Sequence, residues 1–286
     1  MWPTDKVLHC AVVCSVAANP LGPTPDVVPP AQAYQKIVDL GTGKAKLDVW
    51  KTFLFGLLAG AYVGMGALLA LTVGGACPGI LQANPGLQKI VLGTFGLPFG
   101  LMMVLNCGAE LFTGNTAMVT AAVYEGKATW GQLAKNWVFS YLGNLLGSIG
   151  LVYLLVQAGT VGNPTALSVA AAKTSLTFGQ AFLRGILANW LVCLAIWMAT
   201  ASSSLPGKII GVWLPISAFV AMGFEHSVAN MFFIPFGMAS GSSITTAQFL
   251  TANLIPVTLG NIVGGAFCVA TIYSALYGRL GNGGKD

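Results

Sequence analysis

The sequence predicts an all-α integral membrane protein: six transmembrane helices forming a three-plus-three inverted repeat, with the second and fifth helices broken at mid-membrane. Three observations predict it. Of 286 residues, 55% are hydrophobic and only 7% are charged, with a mean hydropathy of +0.77. A soluble domain carries roughly 25% charged residues, so this chain cannot cover a globule with charge and takes lipid as its solvent. Six apolar stretches follow residue 50. Finally, the pattern G-x-E-x-x-x-x-N occurs twice, at Gly108–Asn115 and Gly223–Asn230, each time inside an apolar stretch.

Residues 1–50 read as a mostly extramembrane arm, in which Pro20, Pro23, Pro25, Pro29 and Pro30 interrupt helix. The apolar run from Val7 to Ala18 falls short of the roughly 20 residues a span needs. It has no clear basic n-region, which argues against a cleavable secretory signal. From Pro30 to Asp48 an amphipathic helix is expected, with Ala33, Ile37, Val38 and Leu40 towards one side. The six-span domain occupies 51–279, with spans at about 52–73, 90–123, 136–157, 180–200, 209–239 and 252–277, and 280–286 form a tail. The second and fifth stretches are too long for one straight span, and each carries its G-x-E-x-x-x-x-N segment near the middle. Non-helical backbone at that depth is tolerated where protein or a cavity satisfies it, so the breaks predict a lined pore.

Loop charges set the orientation. Lys36, Lys44, Lys46, Lys51, Lys127, Lys135, Lys208, Arg279 and Lys285 fall on the side of the termini, against Lys89 and Lys173, with Arg184 near the start of the fourth span. That excess places both termini on the cytoplasmic side or its stromal equivalent. The repeat extends beyond the two breaks. Lys51-Thr52 precedes the first span as Lys173-Thr174 precedes the fourth, and Leu142–Ser148 in the third span is echoed by Leu259–Gly265 in the sixth. The offsets are 122, 115 and 117 residues. A unit of three spans has an odd number of crossings, so its second copy enters the membrane inverted.

Ionisable groups at bilayer depth are costly and mark a substrate path or a packed polar hinge. Glu110 and Glu225 read as hinge residues, accepting hydrogen bonds from backbone N–H groups freed at the breaks. Asn115 and Asn230 are expected to satisfy backbone groups at the same breaks, with Asn230 also able to face the pore. Asn144 and Asn261 fit interhelical hydrogen bonding beside small residues. His226 stands beside Glu225 in the second break, and imidazole titrates nearest physiological pH. Thr113 can bond substrate or its own backbone. The scattered lysines and arginines form no nucleic-acid footprint. Cys10, Cys14, Cys77, Cys107, Cys193 and Cys268 contain no C-x-x-C, so neither a zinc site nor a disulfide framework is implied, and no cofactor is called for.

The chain resembles the formate/nitrite transporter family. The resemblance is carried by Cys107-Gly108-Ala109-Glu110-Leu111-Phe112-Thr113, by Gly185-Ile186-Leu187-Ala188-Asn189-Trp190, by Gly223-Phe224-Glu225-His226-Ser227-Val228-Ala229-Asn230-Met231 and by Asn253–Asn261. Lys127–Leu133 and the Leu111–Asn115 form of the first hinge resemble the green-algal branch, whose members are associated with nitrite or bicarbonate movement, often across the chloroplast envelope. The resemblance implies an aquaporin-like hourglass fold and a homopentamer with one pore per protomer. It also implies small weak-acid anions as substrates, nitrite first, then formate, with bicarbonate as an alternative. By the same resemblance His226 is the central pore residue, Lys51 and Lys173 are vestibule lysines, and Leu111, Phe112, Thr113 and Phe219 form constrictions. Asn189 and Asn230 become polar partners of the site. The membrane is then the chloroplast envelope or the plasma membrane.

A bare charge at the bilayer centre costs several kcal/mol or more, so the expected route is capture as an anion, protonation near His226 and passage as the neutral acid. Three other readings compete. A water channel would need Asn-Pro-Ala caps at mid-membrane, but Asn84-Pro85 and Asn163-Pro164 fall in expected loops and continue with Gly86 and Thr165. An intramembrane hydrolase would need a placed nucleophile for His226, and none is evident. A pH-independent anion or bicarbonate channel on the same scaffold stays open.

Overall fold

Short polar caps and first-turn prolines decide where this chain becomes helix. Proline has no N–H to lose in the first turn, and its fixed φ suits that position, so Pro30, Pro78, Pro85 and Pro164 open helices. Asp48, Thr129, Thr177 and Thr245 instead cap with a side-chain oxygen, the three threonines in full capping boxes with Gln132, Gln180 and Gln248. The computed structural model describes residues 26–281. Its helices are α1 (Pro30–Lys46), α2 (Val49–Val73), α3 (Pro78–Ala83), α4 (Pro85–Thr94), α5 (Leu97–Asn106), α6 (Phe112–Tyr124) and α7 (Trp130–Gln157). They continue with α8 (Pro164–Thr174), α9 (Phe178–Ala201), α10 (Leu205–Ala221), α11 (Ser227–Ala239) and α12 (Thr246–Tyr277). His9, Cys10, Cys14, the apolar run Val7–Ala18 and Lys285 lie outside the described residues.

Five helical segments are long and apolar enough to cross a membrane: α2, α4 with α5, α7, α9 and α12. The shorter apolar helices α10 and α11 lie either side of one break. The chain is therefore a multi-pass membrane protein built of helices. Among the described residues the only β-pairing is an isolated bridge between Val27 and Ser202.

The two long stretches are interrupted where the G-x-E segments lie, between α5 and α6 and between α10 and α11. Gly108 and Gly223 sit at φ of 75° and 72°, the left-handed turn that ends a helix without the Cβ penalty any other residue meets. This is why each pattern opens with glycine. At the second break the Phe224 N–H reaches back to the Phe219 carbonyl at 3.1 Å, closing the last turn of α10.

Three expectations need correction. Asn84-Pro85 and Asn163-Pro164 are not loop dipeptides: each asparagine caps a helix, accepting from the N–H of Leu87 at 3.0 Å and of Thr165 at 2.9 Å. The helix so begun, α8, carries Lys173 in its last turn. In α1 the buried face is Ala33, Tyr34, Ile37, Val38, Gly41 and Ala45, and Leu40 is 46% exposed on the other side. α1 packs against α6, α9 and α7, so the arm's helix is built into the body of the protein.

Two helix pairs frame the molecule, α2 with α7 and α9 with α12. Both contacts are made through glycines, which let backbones approach closely in lipid. A Cβ on Gly260 would run into the carbonyl of Phe182 and stand 3.0 Å from the Cα of Gly185, whereas one on Gly43 would meet nothing within 4 Å. Gly260→Val is expected to cost about 1–3 kcal/mol through forced separation of α9 and α12. Gly43→Ala should be near neutral. Thermal denaturation in detergent, followed by loss of the monodisperse chromatographic peak, checks both.

Candidate functional site

A broken helix leaves N–H and C=O groups without intrahelical partners, and at bilayer depth water cannot take them. Two asparagines do. The Phe112 N–H donates to Asn144 Oδ1 at 2.9 Å, while Asn144 Nδ2 donates to the carbonyls of Glu110 at 2.9 Å and Gly56 at 2.8 Å. At the other break the Ser227 N–H donates to Asn261 Oδ1 at 2.8 Å, and Asn261 Nδ2 to the carbonyls of Glu225 at 3.0 Å and Gly185 at 2.7 Å. Each amide thus closes one break from both sides and ties it to the neighbouring helix. The hinge N–H groups of Glu110 and Glu225 reach the carbonyls of Phe55 and Arg184 at 3.2 and 3.3 Å.

The carboxylates themselves bind side chains. Glu110 accepts from Lys44 Nζ at 2.6 Å, Asn115 Nδ2 at 2.7 Å and Asn136 Nδ2 at 3.0 Å. Glu225 accepts from Lys173 Nζ at 3.1 Å through both oxygens, from Asn230 Nδ2 at 2.7 Å and from Asn253 Nδ2 at 3.1 Å. A buried carboxylate is stable only when paired and hydrogen-bonded, and each of these, 4% exposed, is fully engaged. Asn253 lies in a turn of α12 with π-type bonding, just ahead of Pro256, whose missing N–H interrupts the regular ladder.

The second break also positions His226. It caps α11, its Nδ1 accepting from the Ala229 N–H at 3.1 Å. With Nδ1 an acceptor, the ring proton sits on Nε2, so the 2.9 Å contact to Thr113 Oγ1 is a hydrogen bond donated by the imidazole. The Thr113 carbonyl is occupied separately, by Thr116 Oγ1 at 2.6 Å and Asn189 Nδ2 at 3.2 Å. The Thr113 hydroxyl hydrogen is left to point at a third partner.

Three cavities lie around the two breaks, and His226 lines two of them. The largest, about 910 Å³, is lined by Lys36, Asp39, Lys44, Phe55, Cys107, Glu110 and Lys208 among others. A second, of about 290 Å³, is lined by Lys89, Lys173, Arg184, Phe219, Glu225, His226 and Asn230 among others. The third holds about 20 Å³ and is walled by Val63, Leu97, Leu101, Leu111, Val192, Ile216, Phe219 and His226. A site of that size takes about one water. Two cavities bearing charged residues thus accompany a small apolar one whose one polar lining residue is His226.

The formate/nitrite transporter family model matches residues 31–275. The chain belongs to the formate/nitrite transporter family. It is 46% identical over 268 residues to a probable formate transporter of Methanothermobacter thermautotrophicus, covering 86% of this chain and 95% of that one. It is 38% identical over 278 residues to the formate channel FocA of Escherichia coli strain K12, covering 89% and 96%. Among solved structures it superposes on an FNT family ion channel with a TM-score of 0.79 at 33% identity, covering 86% and 98% of the two chains. A pentameric formate channel with formate bound gives a TM-score of 0.70 at 32% identity, covering 80% and 97%. Membership in a family of channels and transporters sets the hydrolase alternative aside. The relatives named here are archaeal and bacterial and do not bear on the green-algal affinity.

As a formate/nitrite transporter the chain places its sequence-predicted residues unevenly. His226, Phe219 and Leu111 wall the central cavity, and Phe219 stacks on the imidazole at 6.0 Å between ring centroids. Thr113 meets them through His226. Asn230 lines the second cavity, and its Oδ1 is buried without a hydrogen-bond partner. Phe112 lines none of the three cavities and packs edge-on against Tyr141 at 4.9 Å. Asn189 bonds the Asn261 carbonyl at 2.6 Å and likewise lines none of them. Two expectations change here: Asn115 and Asn230 bind the carboxylates rather than the broken backbone, and Glu110 and Glu225 accept from side chains rather than from freed N–H groups. Asn144 and Asn261 make the interhelical bonds expected of them and also satisfy the broken backbone.

Before the first span it is Lys44, not Lys51, that lines the first cavity and pairs with a hinge carboxylate. Lys51 is 66% exposed at the start of α2, 3.9 Å from Asp48. The duplicated bonds give the register: Lys44 and Lys173, Phe55 and Arg184, and Gly56 and Gly185 are all 129 residues apart, as are the capping residues Asp48 and Thr177. The offset of 122 that paired Lys51 with Lys173 is a coincidence of the dipeptide Lys-Thr. Lys44 and Asn136 were missed; the matching Asp48 and Thr177 caps are the signal that could have found the first.

Proposed function

We propose that this protein conducts small monovalent anions of weak acids, formate and nitrite, through one pore per protomer of a homopentamer. The half-units are taken as an inverted three-plus-three repeat, with both termini on the cytoplasmic or stromal side of a plasma membrane or chloroplast envelope. The observation that carries the reading is the contrast between cation-bearing vestibules and an apolar centre interrupted only by His226. The relatives' own names supply the substrate class.

Desolvating an anion in the 20 Å³ centre is costly, while the neutral acid needs only one good hydrogen bond. The Ala229 N–H, His226 and Thr113 form an oriented chain of donors ending at the Thr113 hydroxyl. The anion takes its proton from solvent in the vestibule beside His226, since a donor aimed at the anion itself would favour the charged form. The neutral acid then passes Leu111 and Phe219 with its remaining oxygen accepting from this chain. The test is flux into proteoliposomes at about pH 5.5 and about pH 7.5, over which the small neutral fraction of a carboxylic acid changes about a hundredfold. Formate and nitrite flux above that of protein-free liposomes should rise steeply at the acid pH. Flux indifferent to pH, or bicarbonate outpacing formate, would recast the protein as a pH-independent anion channel.

A further inference from the structure

We infer that Arg184 captures the anion at the mouth of the second vestibule, the positive field there coming from this guanidinium rather than from Lys173. The inference rests on the transport reading above and deepens it. Lys173 Nζ stands 3.1 Å from both oxygens of Glu225, the two side chains only 14% and 5% exposed, so its charge is compensated where it stands. Lys44 is compensated by Glu110 in the same way at the other vestibule. Neither buried pair projects much field towards solvent.

Arg184 is different on each count. It is exposed, it lines the second cavity beside Lys89, and among the described residues no carboxylate lies within ion-pairing distance of it. That cavity therefore carries three cations against one carboxylate. The first carries three cations against Glu110 and Asp39, the latter also paired with Lys127 at 3.3 Å. The hinge holds Arg184 in place: its Nη1 donates to the carbonyl of Gly223 at 3.4 Å, and its own carbonyl accepts the Glu225 N–H at 3.3 Å. The remaining guanidinium N–H groups present a planar fork that matches a carboxylate or nitrite in a way an ammonium cannot. The residue 129 positions earlier, which makes the same backbone bond to Glu110, is Phe55. The duplicated scaffold thus carries a cation at one mouth and an aromatic ring at the other.

A charge acting through solvent is screened by salt, with a Debye length of about 10 Å at 0.1 M and about 3 Å at 1 M. Formate flux should be measured in proteoliposomes of wild type, R184Q and R184K at low and at about 1 M inert salt. Expected at low salt is a roughly tenfold loss in R184Q, the low end of electrostatic steering, which disappears at high salt, while R184K, charged but without the fork, keeps the wild-type salt response and falls between R184Q and wild type in rate. R184Q with the wild-type rate and salt response would overturn the inference. So would a deficit that persists at high salt in a protein eluting like wild type, since that marks a structural role through Gly223. A wild type inert towards formate overturns the transport reading and this one with it; a conducting wild type with an unaffected R184Q overturns this one alone.

Discussion

Glu225→Ala is expected to remove the folded protein rather than only its conductance. The substitution strands the Lys173 ammonium and the amide donors of Asn230 and Asn253 in a site where water has little access. Breaking a buried ion pair from one side costs about 3–5 kcal/mol, a large part of the roughly 5–15 kcal/mol that holds a typical domain together. Glu225→Gln keeps one acceptor oxygen for the amides but not the charge, and should fall between wild type and alanine. Pairing it with Lys173→Met removes both charges and should recover much of the loss, because an absent pair costs less than half of one. The yield of monodisperse protein and its thermal midpoint measure this. The same series at Glu110 and Lys44 should behave alike, since the cluster is duplicated. If Glu225→Ala instead folds normally and merely fails to conduct, the carboxylate belongs to the permeation path and the hinge reading is wrong.

Much of this scaffold was legible because lipid imposes local rules. Apolar length gave the spans, and α2, α7, α9 and α12 start within six residues of where hydropathy put them. Excess length with a polar G-x-E segment near the middle gave the two breaks, and the positive φ at Gly108 and Gly223 is the reason each segment opens with glycine. What sequence could not supply was the partner of each buried polar group. Asn144 reaches Gly56, 88 residues away, and Asn261 reaches Gly185 across 76. Nothing local tells an asparagine that closes a broken backbone from one that holds a carboxylate, so sequence reasoning assigns Asn115 and Asn230 to the backbone that Asn144 and Asn261 satisfy beside their interhelical bonds. Lys44 shows the same limit. It lies in the last turn of an amphipathic helix that sequence placed outside the membrane, and its ammonium finds Glu110 only because α1 folds back onto α6.

His226→Asn should separate the two jobs of the imidazole. Removing the ring with alanine would also remove the cap of α11, confounding transport with folding. Asparagine is among the best capping residues and keeps the bond from the Ala229 N–H while still offering an amide donor towards Thr113. It cannot titrate. If the imidazole delivers a proton to the substrate, His226→Asn should lose about 10²-fold or more of the acid-pH flux, the usual contribution of a positioned acid, and the steep pH dependence should go with it. If the ring only donates a hydrogen bond, the loss should stay at about fivefold, the worth of about 1 kcal/mol, with the pH profile unchanged. Thr113→Val supplies the complementary arm: it leaves the Nε2–H without an acceptor against Leu111 and Phe219. It should reduce flux in both cases, because the chain of donors from the Ala229 N–H through His226 loses its last hydroxyl. Full flux in Thr113→Val would break the chain of donors at its last link and move the polar wall of the pore elsewhere.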